Sequence, residues 1–127
     1  MKRLKKALYA FWSGFGVPAY LSDSVPHDAV YPYITYEVVS GAATSRTILN
    51  ATAWHKKAPQ GNVERSAMLD QIAAAIPEGG RILPLDGGGF VILYRNDTNF
   101  QSDTWDDDDD TILGGQTSYQ INNYTVR

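Results

Sequence analysis

The residues of this chain that could do chemistry are a dense run of carboxylates and two histidines. Six anions lie within eight positions: Asp103 and a group that we call the aspartate run, namely Asp106, Asp107, Asp108, Asp109 and Asp110. A calcium-binding loop requires alternating ligands, a central glycine and a terminal bidentate glutamate, and the run has none of these features. The run therefore predicts no specific metal site. It is either a solvated acidic loop or a charged patch that faces a partner or a channel.

The two histidines do not stand in a pattern that is typical of a catalytic site. His27 lies beside Asp28 in a loop segment, and His55 precedes two lysines at the end of a predicted strand, so we expect both imidazoles to be exposed. The chain has no nucleophile elbow and no His-x-x-x-His spacing, and it contains no cysteine. The sequence thus predicts no catalytic residue, no cofactor and no enzyme activity. A small hydrolase that uses His27 or His55 with a nearby aspartate is a competing interpretation.

Three aromatic residues are candidates for protein contacts. Trp105 stands beside the aspartate run, and an aromatic side chain in an acidic loop often anchors a partner by filling its pocket. Trp54 falls on the second apolar face of a predicted strand, and Phe100 lies in the segment that leads to the run. We therefore predict partner or lumen contacts for Trp105 and the aspartate run, and subunit contacts for Trp54 and Phe100.

Length and charge limit the class of protein. The 127 residues are expected to form one domain, residues 1–127, that buries its own core. A net charge of −3 excludes an overall basic nucleic-acid binder. No apolar run approaches the roughly 18 residues of a membrane-spanning helix, so we predict no membrane span.

A strand over residues 33–39 is the centre of the predicted sheet. Ile34, Tyr36 and Val38 share one face by alternation, and Pro32 suits the start of a strand, where its missing N–H costs no ladder bond. Small residues follow, and residues 46–55 then predict the second strand of a hairpin. That strand carries apolar groups on both faces, which indicates a covered sheet or a subunit contact; the two sets are Leu49, Ala51, Ala53 and Ile48, Thr52, Trp54.

Two helices are expected to pack on this sheet. Residues 2–15 form an amphipathic helix whose apolar stripe is Leu4, Leu8, Phe11 and Phe15. Its cations, Lys2, Arg3, Lys5 and Lys6, leave two alternatives open, a helix that lies on a membrane surface or on nucleic acid and a helix that docks on a neighbouring subunit. The second helix, residues 63–76, follows Asn62 as N-cap and ends before Pro77, and its stripe is Met68, Leu69, Ile72, Ala73 and Ile76.

The remaining strands complete an α+β fold with a mainly antiparallel sheet. Residues 81–85 and 90–95 form a hairpin across Asp86 and three glycines, and this segment lacks the Gly-Lys-Ser/Thr ending of a phosphate-binding loop. Residues 96–116 predict a long irregular loop, the first place to look for partner contacts. Residues 117–127 predict a final strand with a bulge at Asn122 and Asn123 that shifts its register.

The order of these elements resembles that of the tail-terminator, or tail-completion, proteins of long-tailed bacteriophages. The likeness spans nearly the whole chain. Short phrases carry it: Val-Pro-Ala-Tyr at residues 17–20, Tyr-Pro-Tyr-Ile-Thr-Tyr at 31–36, and Arg-Ile-Leu-Pro-Leu-Asp-Gly-Gly-Gly-Phe-Val-Ile at 81–92. The aspartate run has no counterpart in a shared motif of the family, so its role is inferred from charge alone.

The resemblance implies a structural virion protein that assembles as a ring, commonly a hexamer, at the head-proximal end of the tail tube. Such a ring stops tube polymerisation and provides the head–tail joining surface. The implied partners are further copies of the chain, the tail tube protein and the head–tail connector proteins. The implied place is the virion neck, after assembly in the host cytoplasm. A head-side connector, or head-completion protein, is the alternative within the same class.

An acidic lumen would suit such a ring. Duplex DNA carries roughly one negative charge per 1.7 Å, and cationic contacts add affinity through counterion release. If DNA must pass through the ring without specific binding, carboxylates are therefore the favourable groups on the wall of the lumen. Our hypothesis is that the aspartate run faces either the lumen or a basic surface of the tail tube.

Overall fold

The computed structural model describes residues 2–40, 47–56, 61–95, 101–106 and 109–124. Within them two helices and a mainly antiparallel sheet confirm the predicted α+β class. The helices are α1 (Lys2–Trp12), followed by a 3-10 helix (Ser13–Phe15), and α2 (Gly61–Ala75). The strands are β1 (Ala19–Leu21), β2 (Tyr33–Ser40), β3 (Thr47–Lys56), β4 (Arg81–Pro84), β5 (Phe90–Arg95), β6 (Gln101–Asp106) and β7 (Asp109–Tyr124).

All described strands belong to one sheet of order β1-β2-β3-β7-β5-β4, and β6 also pairs with β7. Every pairing is antiparallel except that of β1 with β2. The long strand β7 contacts β3 on one side, and on its other side it contacts first β6 and then β5. The sheet is therefore built around β7 and β3, at its centre, with β1 and β4 at its two edges.

Strand β2 forms as the alternation predicts. Ile34 and Tyr36 are buried, Val38 is half-buried, and Glu37 and Val39 on the other face are exposed. Strand β3 also alternates, with Leu49, Ala51 and Ala53 buried. Its pairing with β2 confirms the predicted hairpin, whose turn, residues 41–46, lies outside the described residues.

The predicted long loop is wrong, because its second half forms a hairpin. Residues 101–106 form β6, which pairs with the first half of β7 from Gln101 opposite Thr117 to Trp105 opposite Leu113. The physical reason lies in β7: Ile112 and Leu113 are buried and already pair with β3, so the strand presents a formed ladder to β6. Pairing with a strand that is already part of the sheet can order a polar segment, here residues 101–106, that has little strand pattern in its own sequence.

The predicted bulge at Asn122 and Asn123 is also wrong. Pairing runs without a shift from Arg95 opposite Tyr119 to Phe90 opposite Tyr124, so both asparagines have partners in β5. Asn122 is exposed on the face away from the helices, where its polarity is not costly. The apolar residues of this segment change from one face of the strand to the other at the asparagines, but the strand pairing itself does not shift.

Both helices cover one side of the sheet, which we call the core face; the other side is the outer face. Buried residues of α1, α2 and six strands form one cluster, and Trp12, with none of its surface exposed, is among its largest members. Its indole lies 6.3 Å from the rings of both Tyr36 and Tyr119. Since α1 contacts β1 and β4, the two edge strands, the sheet curls around this helix.

Glycines allow two close features of this architecture. Gly87, Gly88 and Gly89 all have positive φ in the turn between β4 and β5, as the predicted hairpin requires. At Gly115 of β7, an added Cβ would lie 2.7 Å from a terminal carbon of Leu69. Helix α2 thus packs directly on the backbone of the central strand.

Candidate functional site

The aspartate run lies at the tip of the β6–β7 hairpin. Asp106 pairs with Asp109 after a register shift at Trp105, and Asp107 and Asp108 lie between them, outside the described residues. The last pairing of β3 is Lys56 with Ile112, so Asp109, Asp110 and Thr111 continue beyond the described end of that strand. A hairpin therefore carries these carboxylates to one end of the sheet, and mutual repulsion favours a place at such an end over the core.

The predicted aromatic contacts fall in different places. The backbone of Trp105 lies in β6 opposite Leu113, in the last regular pair before the tip. Phe100 lies outside the described residues. Trp54 is half-buried on the outer face, and its indole N–H donates a hydrogen bond of 2.9 Å to the Thr35 hydroxyl. Trp105 directly precedes the aspartate run in the sequence, whereas Trp54 belongs to a separate cluster on β2 and β3.

That cluster is aromatic and lies at one end of the outer face. The ring of Tyr33 lies 5.8 Å from that of Tyr20 and 4.9 Å from that of Tyr31. The ammonium of Lys56 lies 4.8 Å from the centroid of Tyr31. These contacts, with Trp54, cover Thr35, which is 8% exposed although it points away from the helices. The end of β3 thus combines aromatic surface with a cation.

The rest of the outer face is mixed. On β7, Gln116, Ser118 and Gln120 are half-buried polar residues. Toward each edge an apolar side chain is exposed: Val39 on β2, at 49%, and Ile82 on β4, at 59%. The polar residues on β7 allow the centre of the outer face to contact water. The two exposed apolar side chains, near the edges, are available for contact with another molecule.

His55 is buried, so its predicted exposure is wrong. It is 3% exposed and lies on the core face in phase with Leu49, Ala51 and Ala53. Burial lowers the pKa of His55 below its ordinary value; Glu64 opposes this shift, and Arg65 of α2 adds to it. The imidazole is therefore held neutral inside the fold and is not accessible as a general base.

His27 is exposed, as predicted, in the loop between β1 and β2. Among the described residues, no hydrogen bond joins either histidine to a carboxylate. Nor does this part of the chain contain a group of three or more His, Cys, Asp or Glu side chains able to hold a metal ion. Within the described part of the chain, neither histidine therefore has the hydrogen-bonded carboxylate that a Ser-His-Asp site uses to orient its imidazole.

The cations of the first helix are partly engaged within the fold. Arg3 donates to the main-chain oxygen of Asp86 at 2.7 Å, and Lys6 forms an ion pair with the Asp86 carboxylate. The hydrogen bond from Lys6 lowers the pKa of Asp86. These contacts tie the start of α1 to the turn between β4 and β5, in agreement with a helix that packs on the sheet. No helix in the described residues is long and apolar enough to cross a membrane.

Three buried residues were missed by sequence reasoning. Trp12 follows Leu8 by four positions, so helical spacing could have placed it in the core. His55 shares the phase of three buried β3 residues, but its lysine neighbours suggested an exposed strand end. Arg65, 9% exposed, had no comparable signal, because a charged residue in the first turns of a helix is usually solvated.

No protein-family model matches the chain, and no curated protein matches it.

Proposed function

We propose that the chain is a structural subunit that assembles as a ring at the head-proximal end of a phage tail tube. In this role it stops tube polymerisation and forms the surface to which the head-side connector binds. The proposal rests on the sequence resemblance together with one observation: the aspartate run occupies a hairpin tip at the end of the sheet. The chain acts through surfaces and not through catalysis.

The hairpin tip supports a role in lining a channel. A β-hairpin is a stiffer carrier than a long irregular loop, because inter-strand hydrogen bonds fix its direction along the sheet. Copies arranged around an axis with their tips inward would surround the lumen with carboxylates. DNA would then pass without the cationic contacts that slow it through counterion release.

The surfaces left around the sheet support assembly with further copies. A ring is heterologous, so each subunit needs two different patches that complement each other. Exposed apolar residues occur near both edges of the outer face, at Val39 and at Ile82. In such a ring, these two side chains would belong to the two complementary patches.

Electron microscopy of the purified chain tests the proposal. We expect closed rings with a central hole wide enough for duplex DNA to pass. Mixing with purified tail tubes should place these rings at one end of the tubes. A chain that stays monomeric at high concentration, or rings that ignore tail tubes and bind the head-side portal, would overturn the proposal, and the second result would favour the connector.

A variant in which all five residues of the aspartate run become asparagine tests the lumen separately. It should fold and form rings, because the tip lies outside the core, yet it should impair DNA passage or tail joining. A matched control neutralises five exposed carboxylates elsewhere, namely Asp23, Asp28, Glu64, Asp70 and Glu78. Full infectivity of virions that carry the tip variant would contradict the role that we assign to the run.

A further inference from the structure

Within the described part of the chain, the sheet has an open edge on each side. Strand β4 pairs only with β5, so its other side ends the sheet. On the opposite side, β1 covers β2 only from Ile34 to Tyr36. The chain then turns away through a hydrogen bond from the Ser24 N–H to the Leu21 carbonyl. Residues 38–40, the end of β2, therefore form a second open edge.

Main-chain groups at the end of β2 are available for pairing. The N–H of Ile34 donates to the carbonyl of Pro18, so Ile34 and every second residue after it face the β1 side of the strand. Val38 and Ser40 belong to this series. No described residue forms a main-chain hydrogen bond with Val38 on this side. Such an edge can accept a further strand.

Strand β4 has matching groups on its open side. The N–H of Leu85 donates to the carbonyl of Gly89 across the turn to β5, so the odd-numbered residues of β4 face β5. Ile82 and Pro84 therefore face the edge. Among the described residues, none forms a main-chain hydrogen bond with Ile82. Pro84 has no N–H, and a proline is tolerated at such an edge because no ladder bond is lost there.

Strand direction allows the two edges to pair between copies. Four antiparallel pairings separate β2 from β4, so the two strands run parallel within one sheet. A copy rotated about an axis along the strands therefore brings its β4 parallel to β2, with both core faces on the same side. The parallel pair of β1 and β2 shows the required phase, because Ile34 lies opposite Ala19 and bonds to the residue before it. Val38 opposite Arg81 meets this phase, since both lie on the core face.

This register also uses the free main-chain groups of both edges. With Val38 opposite Arg81, the carbonyl of Val38 accepts from the N–H of Ile82. The carbonyl of Ile82 then accepts from the N–H of Ser40. A shift of two residues along β4 would instead require an N–H from Pro84, which has none. The main chain thus favours one register.

The side chains match in the same register. Val39 lies directly opposite Ile82 on the outer face, where both apolar side chains are exposed in the single subunit. On the core face, the exposed Arg81 meets a groove of about 370 Å³ beside the end of β2. The charged side chains around this groove are those of Lys5, Asp23 and Glu37. Carboxylates are in excess there, so the groove favours a cation.

We infer that β4 of one copy adds in parallel to residues 38–40 of β2 in the next copy, so that the sheet continues from subunit to subunit. This inference rests on the ring proposed above and names one contact that holds neighbouring subunits together. Each copy offers one edge and accepts the other, which is the head-to-tail arrangement that a closed ring requires. The contact also covers both open edges, which are otherwise templates for unspecific pairing.

A charge exchange tests this contact by sedimentation velocity. Val39→Glu and Ile82→Lys, each alone, should weaken assembly about tenfold, because each places a charge against an apolar side chain. The double variant creates an opposite-charge pair across the two strands and should recover assembly. Val63→Glu is the matched control, since Val63 is exposed on α2, away from both edges, and should leave assembly unchanged. Failure of the double variant to recover assembly would overturn the inference.

Thiol cross-linking separates the inference from the ring proposal, because the chain contains no cysteine of its own. A variant with both Val39→Cys and Ile82→Cys should give a ladder of covalent oligomers when its rings are treated with a short bis-maleimide reagent. The two thiols of one subunit are too far apart to be joined, since four strand spacings of about 4.8 Å separate them along the sheet. Val63→Cys combined with Ile82→Cys is the matched control and should give no ladder.

The single cysteine variants show which edges meet. Neither Val39→Cys nor Ile82→Cys alone should form covalent pairs, whereas a mixture of the two should form pairs and nothing larger. Covalent pairs from Val39→Cys alone would place β2 against β2 of another copy and overturn the inference. Rings of the double variant that give no ladder overturn the edge contact and leave the ring proposal intact. A chain that never assembles overturns both.

Discussion

His55 is the residue whose burial has the clearest measurable consequence. Its pKa is lowered in the folded chain, so the unfolded chain binds a proton more readily once the pH falls below the ordinary value of 6.5. We predict that the free energy of unfolding falls as pH decreases from 7 towards 5, by at most about 1.4 kcal/mol per pH unit for this one proton. Urea unfolding at successive pH values measures the slope.

Two variants decide whether His55 causes this slope. His55→Leu should flatten the profile between pH 7 and 5, since an apolar side chain at this buried position binds no proton. His27→Asn is the matched control, because it removes an imidazole from an exposed loop and not from the core. An unchanged slope in His55→Leu would assign the pH dependence to other groups.

Gly115 is the second residue at which packing makes a sharp prediction. Gly115→Ala places a methyl group 2.7 Å from Leu69, so helix α2 or the Leu69 side chain must shift. We expect a loss of about 1–3 kcal/mol in the free energy of unfolding, as in other overpacked cores. Thermal and urea unfolding measure the loss.

The clash at Gly115 can be relieved in a second variant. Leu69→Ala removes the atoms that the new methyl group meets, so the double variant should lose less than the sum of the two single changes. Gly14→Ala is the matched control, because no atom lies within 4 Å of the added Cβ and no positive φ is required there. Strict additivity of the two changes would show that the methyl group and Leu69 do not compete for the same space.

At the scale of elements, the parts with strong local patterns were predictable. Strand β2 and helix α2 have clean alternation or helical spacing, and the three glycines mark the turn between β4 and β5. Strand β6 was not predictable, because Gln101, Ser102, Asp103 and Thr104 have no apolar alternation. This strand is ordered by its pairing with β7, and local sequence patterns do not report such a tertiary contact.

Hydrogen exchange tests whether β6 is a formed strand. In residues 113–117 of β7, alternate amides face β3 and β6, so all of them should exchange slowly if both neighbours are present. Residues 109–111, which have no described β3 partner, should exchange faster. Fast exchange at every second residue of 113–117 would mean that β6 is not paired there.

Only part of the candidate site could be predicted from the sequence. The charge of the aspartate run was evident, and it predicted a position outside the core. Its place at a hairpin tip depended on the register of β6 with β7, which the sequence alone does not reveal.

For the whole molecule, charge makes the final prediction. Changing the aspartate run to asparagine moves the formal net charge of each chain from −3 to +2, and the control with five neutralised carboxylates elsewhere does the same. If the tips line a lumen, only the tip variant removes the barrier to DNA inside the ring. We therefore expect assembled rings of the tip variant to retain duplex DNA at low salt, and rings of the unmodified chain and of the control to retain much less.

Fluorescence anisotropy of labelled duplex DNA, measured over a series of salt concentrations, distinguishes the two sites of charge. Retention in the tip variant should fall steeply with salt, because binding through phosphates is driven by counterion release. Since both variants carry the same net charge, a difference between them reflects where the carboxylates lie and not how many there are. Equal retention by the two variants would place the aspartate run away from the DNA path, and the basic surface of the tail tube would then be its remaining target.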